Sequence, residues 1–311
     1  MRIGRAAGVT DTGRRRLRNE DAFVCAPPLF AVADGMGGAR AGEIAARLAA
    51  SALEEGGSRQ RGPEGVVALI AEANRRIWER SLQDPQTAGM GTTVTAALVD
   101  DETGTVAIGH VGDSRAYLLR DGSLEQLTTD HSLVAELVES GVLTPEEAER
   151  HPQRSAITRA LGTEPTVEVD AFTVEARPGD LFLICSDGLS TMLSDEDVLA
   201  ALAGAGGDPA RSAEALVAAA NARGGEDNVT VVLFELLEGE PGEPADGGDR
   251  NGAEPARTPE DEVATAPEAA DGGPRSLSRH GAGPGGRAAA LLAVAAVVVL
   301  AALVLYWGLP R

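Results

Sequence analysis

The stretch Leu29-Phe30-Ala31-Val32-Ala33-Asp34-Gly35 decides the fold. Five apolar residues without a polar break, closed by Asp-Gly, read as a strand buried on both faces whose carboxylate emerges at its end. The pattern recurs. Leu181-Phe182-Leu183-Ile184-Cys185-Ser186 runs into Asp187-Gly188, Asp227 stands just before Asn228-Val229-Thr230-Val231-Val232-Leu233-Phe234, and Asp113 follows the strand that ends in His110-Val111-Gly112. Taken singly, each acid reads as a turn former. Together they put four carboxylates at strand ends among small residues, an arrangement whose mutual repulsion calls for bound cations. Hard divalent metals with oxygen ligands meet that need.

Working outward, strands are expected at 29–33, 92–99, 105–111, 116–120, 181–185 and 229–236, several bounded by Gly or Asp-Gly. Asp121-Gly122 predicts a two-residue hairpin, since a type I′ turn needs positive φ at both central residues. Val66, Ile70, Ile77 and Ser81, with Val67 and Trp78 beside them, give an apolar face at helical spacing. Thr144-Pro145-Glu146-Glu147 reads as a cap, a first-turn proline and a capping-box Glu. Asp208-Pro209 opens a further helix that Gly224 closes. Helices fall between groups of strands instead of alternating with them, so the fold class is α+β and not a doubly wound sheet.

Composition narrows the function. The chain of 311 residues has 27 basic and 48 acidic side chains, a net charge of −21, which disfavours a nucleic-acid partner. Every basic residue is Arg, so chemistry that needs Lys is excluded. Cys25 and Cys185 are too few for a disulfide framework or a thiolate zinc site, and a reducing compartment is expected.

The folded unit is expected to span 1–238. Residues 239–287 contain 11 Gly, 7 Pro and 8 Ala in 49 positions and read as a disordered tether. Residues 288–307 carry no charge for 20 positions and end in Tyr306-Trp307, so a single membrane-spanning helix is expected there, with 308–311 as an external tail. Arg275, Arg279 and Arg287 precede it, which places the N-terminal side in the cytoplasm.

The order of the motifs resembles that of the metal-dependent PPM-type serine/threonine phosphatases, the protein phosphatase 2C group, in its bacterial branch. The residues that carry the resemblance are Gly13-x-x-Arg16-x-x-Asn19-Glu20-Asp21, Val32-Ala33-Asp34-Gly35-Met36-Gly37-Gly38, Gly91-Thr92-Thr93, Gly112-Asp113-Ser114-Arg115, Thr129-Asp130-His131-Ser132, Ile157-Thr158-Arg159-Ala160-Leu161-Gly162, Cys185-Ser186-Asp187-Gly188 and Asp227-Asn228-Val229-Thr230. It covers about residues 5–236. The fold it implies is a central sandwich of two antiparallel sheets with helices on both outer faces. It also implies two Mn²⁺ or Mg²⁺ ions, with a weaker third, and direct hydrolysis of phosphoserine and phosphothreonine without a phosphoenzyme.

By position, Asp34 resembles the bridging ligand, Gly35 supplies a carbonyl, and Asp187 and Asp227 resemble ligands of the other ion. Asp113, with Asp187 and Ser155, resembles the third site. Glu20 and Asp21 resemble outer acids that orient water, and Arg16 the phosphate-binding residue. The segment 132–159 corresponds to a flap beside the site. Where some members carry His two positions after the bridging Asp, this chain has Met36, so the leaving group must be protonated by another route. His110, His131 and His151 are expected to be structural. The partners implied are phosphorylated proteins, with membrane Ser/Thr kinases as counterparts of a tethered monomer. The alternatives are a phosphatase acting on an anti-sigma antagonist and an inactive phosphoprotein-binding module.

Overall fold

The structure is a computed structural model that describes residues 1–37 and 41–239. The tether, membrane span and tail expected beyond Gly239 fall outside the described residues, as does His280. Among the described residues no helix is long and apolar enough to cross a membrane.

The strands are β1 (Arg2–Asp11), β2 (Asp21–Ala26), β3 (Leu29–Met36), β4 (Gly91–Thr92), β5 (Val94–Asp100), β6 (Thr105–Val111), β7 (Arg115–Arg120), β8 (Ser123–Gln126), β9 (Asp170–Glu175), β10 (Leu181–Cys185) and β11 (Val229–Leu237). The helices are α1 (Ala41–Gly57), α2 (Gly62–Gln83), α3 (Leu133–Glu139), α4 (Pro145–Glu149), α5 (Asp187–Ser190), α6 (Asp195–Gly204) and α7 (Pro209–Ala222). One sheet runs β1-β11-β10-β7-β8 and the other β2-β3-β5-β6-β9, with β4 paired to the end of β3. The ladders within both sheets are antiparallel.

The continuous apolar runs are explained by two buried faces. Phe30 and Val32 of β3, Phe182 and Ile184 of β10, and Val232 and Phe234 of β11 fill the space between the sheets. There Phe234 stacks on Phe30 at 4.1 Å and on Phe182 at 5.0 Å between ring centroids. The intervening residues point outward. Leu29, Ala31 and Ala33 join the core that α1 and α2 cover, with α1 lying on β3 and α2 on β5, β6 and β9, whereas Leu183, Cys185, Val231 and Leu233 join a core shared with α6 and α7, with α7 lying on β1 and β11. The result is an α-β-β-α sandwich of four layers, in agreement with the fold class read from the sequence.

Local signals behave as their chemistry requires. Asp121 and Gly122 take φ of 51° and 77° in the β7–β8 turn. Thr144 and Glu147 form the reciprocal capping box of α4, and the Asp208 side chain caps α7. Two strands differ from expectation by more than one residue. The strand expected at 29–33 continues through Met36, because Asp34 pairs with Asp21 of β2 and Gly35 with Thr92 of β4. The strand expected at 92–99 breaks at Thr93, whose amide donates to the Asp34 carbonyl at 2.9 Å.

Candidate metal centre

The antiparallel pairing of β2 with β3 sets Asp21 directly opposite Asp34. Asp187 begins α5, two residues past β10, and Asp227 lies two residues before β11, the neighbour of β10. Asp113 follows β6 by two residues. Strands of both sheets therefore deliver these acids to one edge of the sandwich, where Asp21, Asp187, Asp113 and Asp227 all act on Asp34.

Neutral side chains fix that edge, and sequence reasoning gave them no individual role. Thr92 Oγ1 donates to the Asp34 carbonyl at 2.9 Å, and Thr93 Oγ1 accepts from the Asp34 amide at 3.2 Å. Thr93 Oγ1 also meets Ser114 Oγ at 2.7 Å, which ties the loop of Asp113 to the strand of Asp34. Ser186 and Thr230 donate to Asp21 Oδ2 at 2.9 and 2.6 Å. Asn228 donates to the carbonyls of Thr12 and Arg18 and accepts from the Glu20 amide, so one side chain closes the Arg-rich loop. Their presence inside the quoted motifs was the available signal.

Gly35 is required by contact. A Cβ there would lie 2.2 Å from the Gly42 carbonyl oxygen and 2.5 Å from that of Glu20. The Glu20 carboxyl reaches the same place, 2.5 Å from where a Cβ on Gly42 would sit.

The electrostatics of this edge are unusual. Burial, aided by Asp187 and Asp227 and opposed by the Thr230 and Ser186 hydrogen bonds, pushes the Asp21 carboxyl up to about 7. Burial and then Asp187 and Asp130 do the same for Asp113, also to about 7. Asp187 rises to about 6 through burial and Asp227, against a hydrogen bond with Asp34 and the charge of Arg16. Asp34 is raised well above the carboxylate range by burial and then by Asp21, Asp187, Asp113 and Asp227. Protons shared by interacting carboxylates take the place of cationic charge.

One oxygen of each of Asp21, Asp113 and Asp187 is buried without a hydrogen-bond partner among the described residues. Orphaned carboxylate oxygens aimed into a site of surplus negative charge are the donor set that hard divalent cations take, so the residues fit such ions. Among the described residues no three His, Cys, Asp or Glu side chains are arranged to hold one ion by themselves. That is compatible with Mg²⁺-type binding, where one or two carboxylates suffice and water completes the shell.

Arg16 is half exposed and donates to Asp227 Oδ2 at 2.5 Å. Burial opposes its charge, but Asp227, then Asp187 and Asp34, raise its pKa. Ser155 is exposed, in the turns after α4, on the wall of a cavity of about 1060 Å³ that reaches Asp113 and Asp187. Met36 ends β3 beside Gly91. His110 is buried between Thr95 Oγ1 at 2.9 Å and the Thr129 carbonyl at 3.0 Å, and burial, then His131, lowers its pKa to about 4. His131 pins Gly112 from both sides: its Nδ1 accepts the Gly112 amide at 3.0 Å, and its own amide donates to the Gly112 carbonyl at 2.7 Å. His151 accepts from the Gln153 amide at 3.2 Å.

The carboxylate cluster lies at one edge of the two sheets of an α-β-β-α scaffold, where its donor set fits a divalent cation. A family model described as "Protein phosphatase 2C" matches residues 12–219. The serine/threonine protein phosphatase PstP of Mycobacterium tuberculosis is 44% identical over 237 residues, 75% of this chain and 45% of PstP. The serine/threonine phosphatase stp of Listeria welshimeri is 41% identical over 241 residues, 73% of this chain and 93% of that protein. A crystal structure of the PstP catalytic domain in complex with two manganese ions superposes with a TM-score of 0.70 at 40% identity, covering 76% of this chain and 99% of that domain. This chain thus spans about half the length of PstP and nearly all of the Listeria protein. It belongs to the protein phosphatase 2C family.

Proposed function

We propose that the chain is a metal-dependent serine/threonine protein phosphatase that hydrolyses phosphoserine and phosphothreonine on cytoplasmic proteins. The observation that carries this reading is the set of orphaned oxygens on Asp21, Asp113 and Asp187 within a cluster of raised carboxylates. In it, Asp34, Asp187, Asp227 and the Gly35 carbonyl would hold two divalent ions, Mn²⁺ or Mg²⁺, and Asp113 with Asp187 and Ser155 would hold a weaker third. Such ions supply an activated water for attack on phosphorus and offset charge on the phosphoryl oxygens.

The chain's own residues do the rest. Asp21, held by Ser186 and Thr230, keeps a fixed acceptor beside the centre and, with Glu20, orients water there. Arg16 leaves Asp227 to grip two phosphoryl oxygens, an exchange of one anion for another that a planar guanidinium makes readily. His110 remains neutral at physiological pH and takes no part in proton transfer. Met36 carries no proton to donate, so the leaving alkoxide must take its proton from water at the centre or from another group there.

The charge-free run 288–307 supports a single-pass membrane anchor with the folded unit in the cytoplasm, acting as a monomer joined by the tether 239–287. Tethering raises the effective concentration near membrane-bound partners, which makes receptor-like Ser/Thr kinases and their targets the proposed counterparts.

Hydrolysis of a phosphothreonine peptide tests the enzyme. Turnover is expected with Mn²⁺, lost with chelator and nearly abolished in Asp34→Asn. A folded, metal-loaded protein that binds the peptide without turnover would overturn the reading in favour of a phosphoprotein-binding module.

A further inference from the structure

We infer that His131 is a positioning residue for the metal centre: its ring, held in one tautomer by Asp170, fixes the Gly112 peptide and with it the direction in which Asp113 enters the site. This role rests on the phosphatase reading, because it serves the weaker third ion proposed at Asp113.

Asp113 needs such a hold. It follows Gly112, whose φ of 114° strains any residue with a side chain, and a Cβ there would come within 2.5 Å of the Thr93 side chain. A glycine has no side chain to lock its own peptide, so its partners must. Both polar groups of Gly112 go to His131, the amide to Nδ1 at 3.0 Å and the carbonyl to the His131 amide at 2.7 Å. Asp113 Oδ1 is buried with no hydrogen-bond partner among the described residues, so the backbone sets where that oxygen points.

The tautomer follows from the same contacts. A ring nitrogen that accepts an amide proton carries none itself, so the proton of the His131 ring sits on Nε2. Nε2 faces Asp170 Oδ2 at 3.2 Å, and the other oxygen of Asp170 takes Nη1 of Arg159 at 2.6 Å. Burial opposes the charge of Asp170, but hydrogen bonds from Arg159 and His131 hold it below the ordinary carboxylate value. His110, itself tied to Thr95 and the Thr129 carbonyl, covers the ring of His131 with 4.7 Å between centroids.

Carboxylate, imidazole and peptide thus form a line from β9 to the end of β6. Carboxylates orient metal-binding histidines in the same way. Here the imidazole acts one bond further out, on the peptide beside a carboxylate ligand.

The test uses the full chain in mild detergent. Bound Mn²⁺ is counted from the EPR signal of the free ion, and ¹⁵N spectra of the histidine rings are recorded without metal. The backbone bonds of His131 survive substitution, so side-chain variants isolate the ring. In His131→Ala the dissociation constant of the weakest ion should rise about tenfold, with the two stronger ions unchanged, as when a partner that orients a ligand is removed. His131→Asn, whose Oδ1 can replace Nδ1 towards the Gly112 amide, should recover most of that loss. Asp170→Ala changes an exposed residue and keeps the test decisive where the ring variants fail to fold. The ¹⁵N shifts should report the Nε2–H form of His131 in the wild type and a mixture in Asp170→Ala, whose weakest ion should bind about threefold less tightly.

Unchanged binding of the weakest ion in His131→Ala, equal losses in the Ala and Asn variants, or an Nδ1–H ring in the wild type would overturn the inference and leave the phosphatase reading intact. So would a wild-type protein that binds two ions only, because Asp113 would then have no ion to serve. A wild-type protein that binds no Mn²⁺ would overturn both.

Discussion

Asp187→Asn is expected to stabilise the metal-free protein and to remove its response to metal. The gap between a folded pKa of about 6 and the ordinary 3.8 corresponds, at 1.36 kcal/mol per pH unit, to about 3 kcal/mol against ionisation above pH 6. Because the titration belongs to a cluster that includes Asp21, Asp34 and Asp227, that figure is an upper bound for one residue, and a gain of about 1–3 kcal/mol is expected. For a domain of this size it raises Tm by about 2–10 °C.

The sign follows from linkage. A carboxyl whose folded pKa is raised contributes no penalty below pH 3.8, where both states are protonated, and an increasing one as pH climbs towards 6. Without metal, the wild-type protein should lose stability as pH rises from about 4 to 7, with Asp21 and Asp113 extending the loss to about 7. The difference between variant and wild type should open over pH 4–6 and stay constant above it.

Thermal unfolding in chelator from pH 4 to 8, repeated with millimolar Mn²⁺, measures both. Mn²⁺ should raise the wild-type Tm at pH 7.5 and release protons as it binds, whereas the variant should respond weakly. A variant less stable than wild type in chelator at pH 8, or one with a full Mn²⁺ response, would refute the reasoning that these acids repel one another in readiness for cations.

Three further outcomes are expected. Arg16→Ala should raise KM for a phosphopeptide about tenfold with a smaller change in kcat, read from steady-state kinetics; wild-type values would move phosphate engagement to Arg14, Arg15 or Arg18. Gly35→Ala forces a Cβ to within 2.2 Å of a backbone oxygen, so urea unfolding should show a loss of about 2 kcal/mol or more, and an unchanged midpoint would mean that α1 can shift to make room. The ring proton signals of His110 should hold constant from pH 8 to about 5, since burial keeps it neutral; a midpoint near 6.5 by NMR would falsify its enclosure between Thr95 and Thr129.

How far the sequence could be read depended on whether a feature was local or relational. The strands β3 and β10 were legible because burial on both faces leaves five apolar residues in an unbroken run, and β6 and β11 because theirs is interrupted at only a few positions. The caps at Thr144 and Asp208 were legible because they close within four residues. The strand β1 was not: Arg2–Asp11 carries two arginines and two glycines, and it is held in extended form by its pairing with β11, more than 200 residues away. The helix α1 escaped for a related reason. Its buried face is built from Ala45, Ala46, Ala49 and Ala52, whose small side chains give a weak apolar signal but let the helix lie close to β3.

The site divides in the same way. The acids announced themselves by ending apolar runs, but Thr93, Ser114, Ser186, Thr230 and Asn228 are neutral, and their role exists only once strands from distant parts of the chain meet. Asn228 shows what such a residue does, since its three hydrogen bonds bind the loop of Arg16 to the strand that follows Asp227. Carboxylates that repel one another stay at one edge because uncharged partners hold their backbones there. Binding energy from a cation is therefore available for binding and catalysis instead of assembling the site.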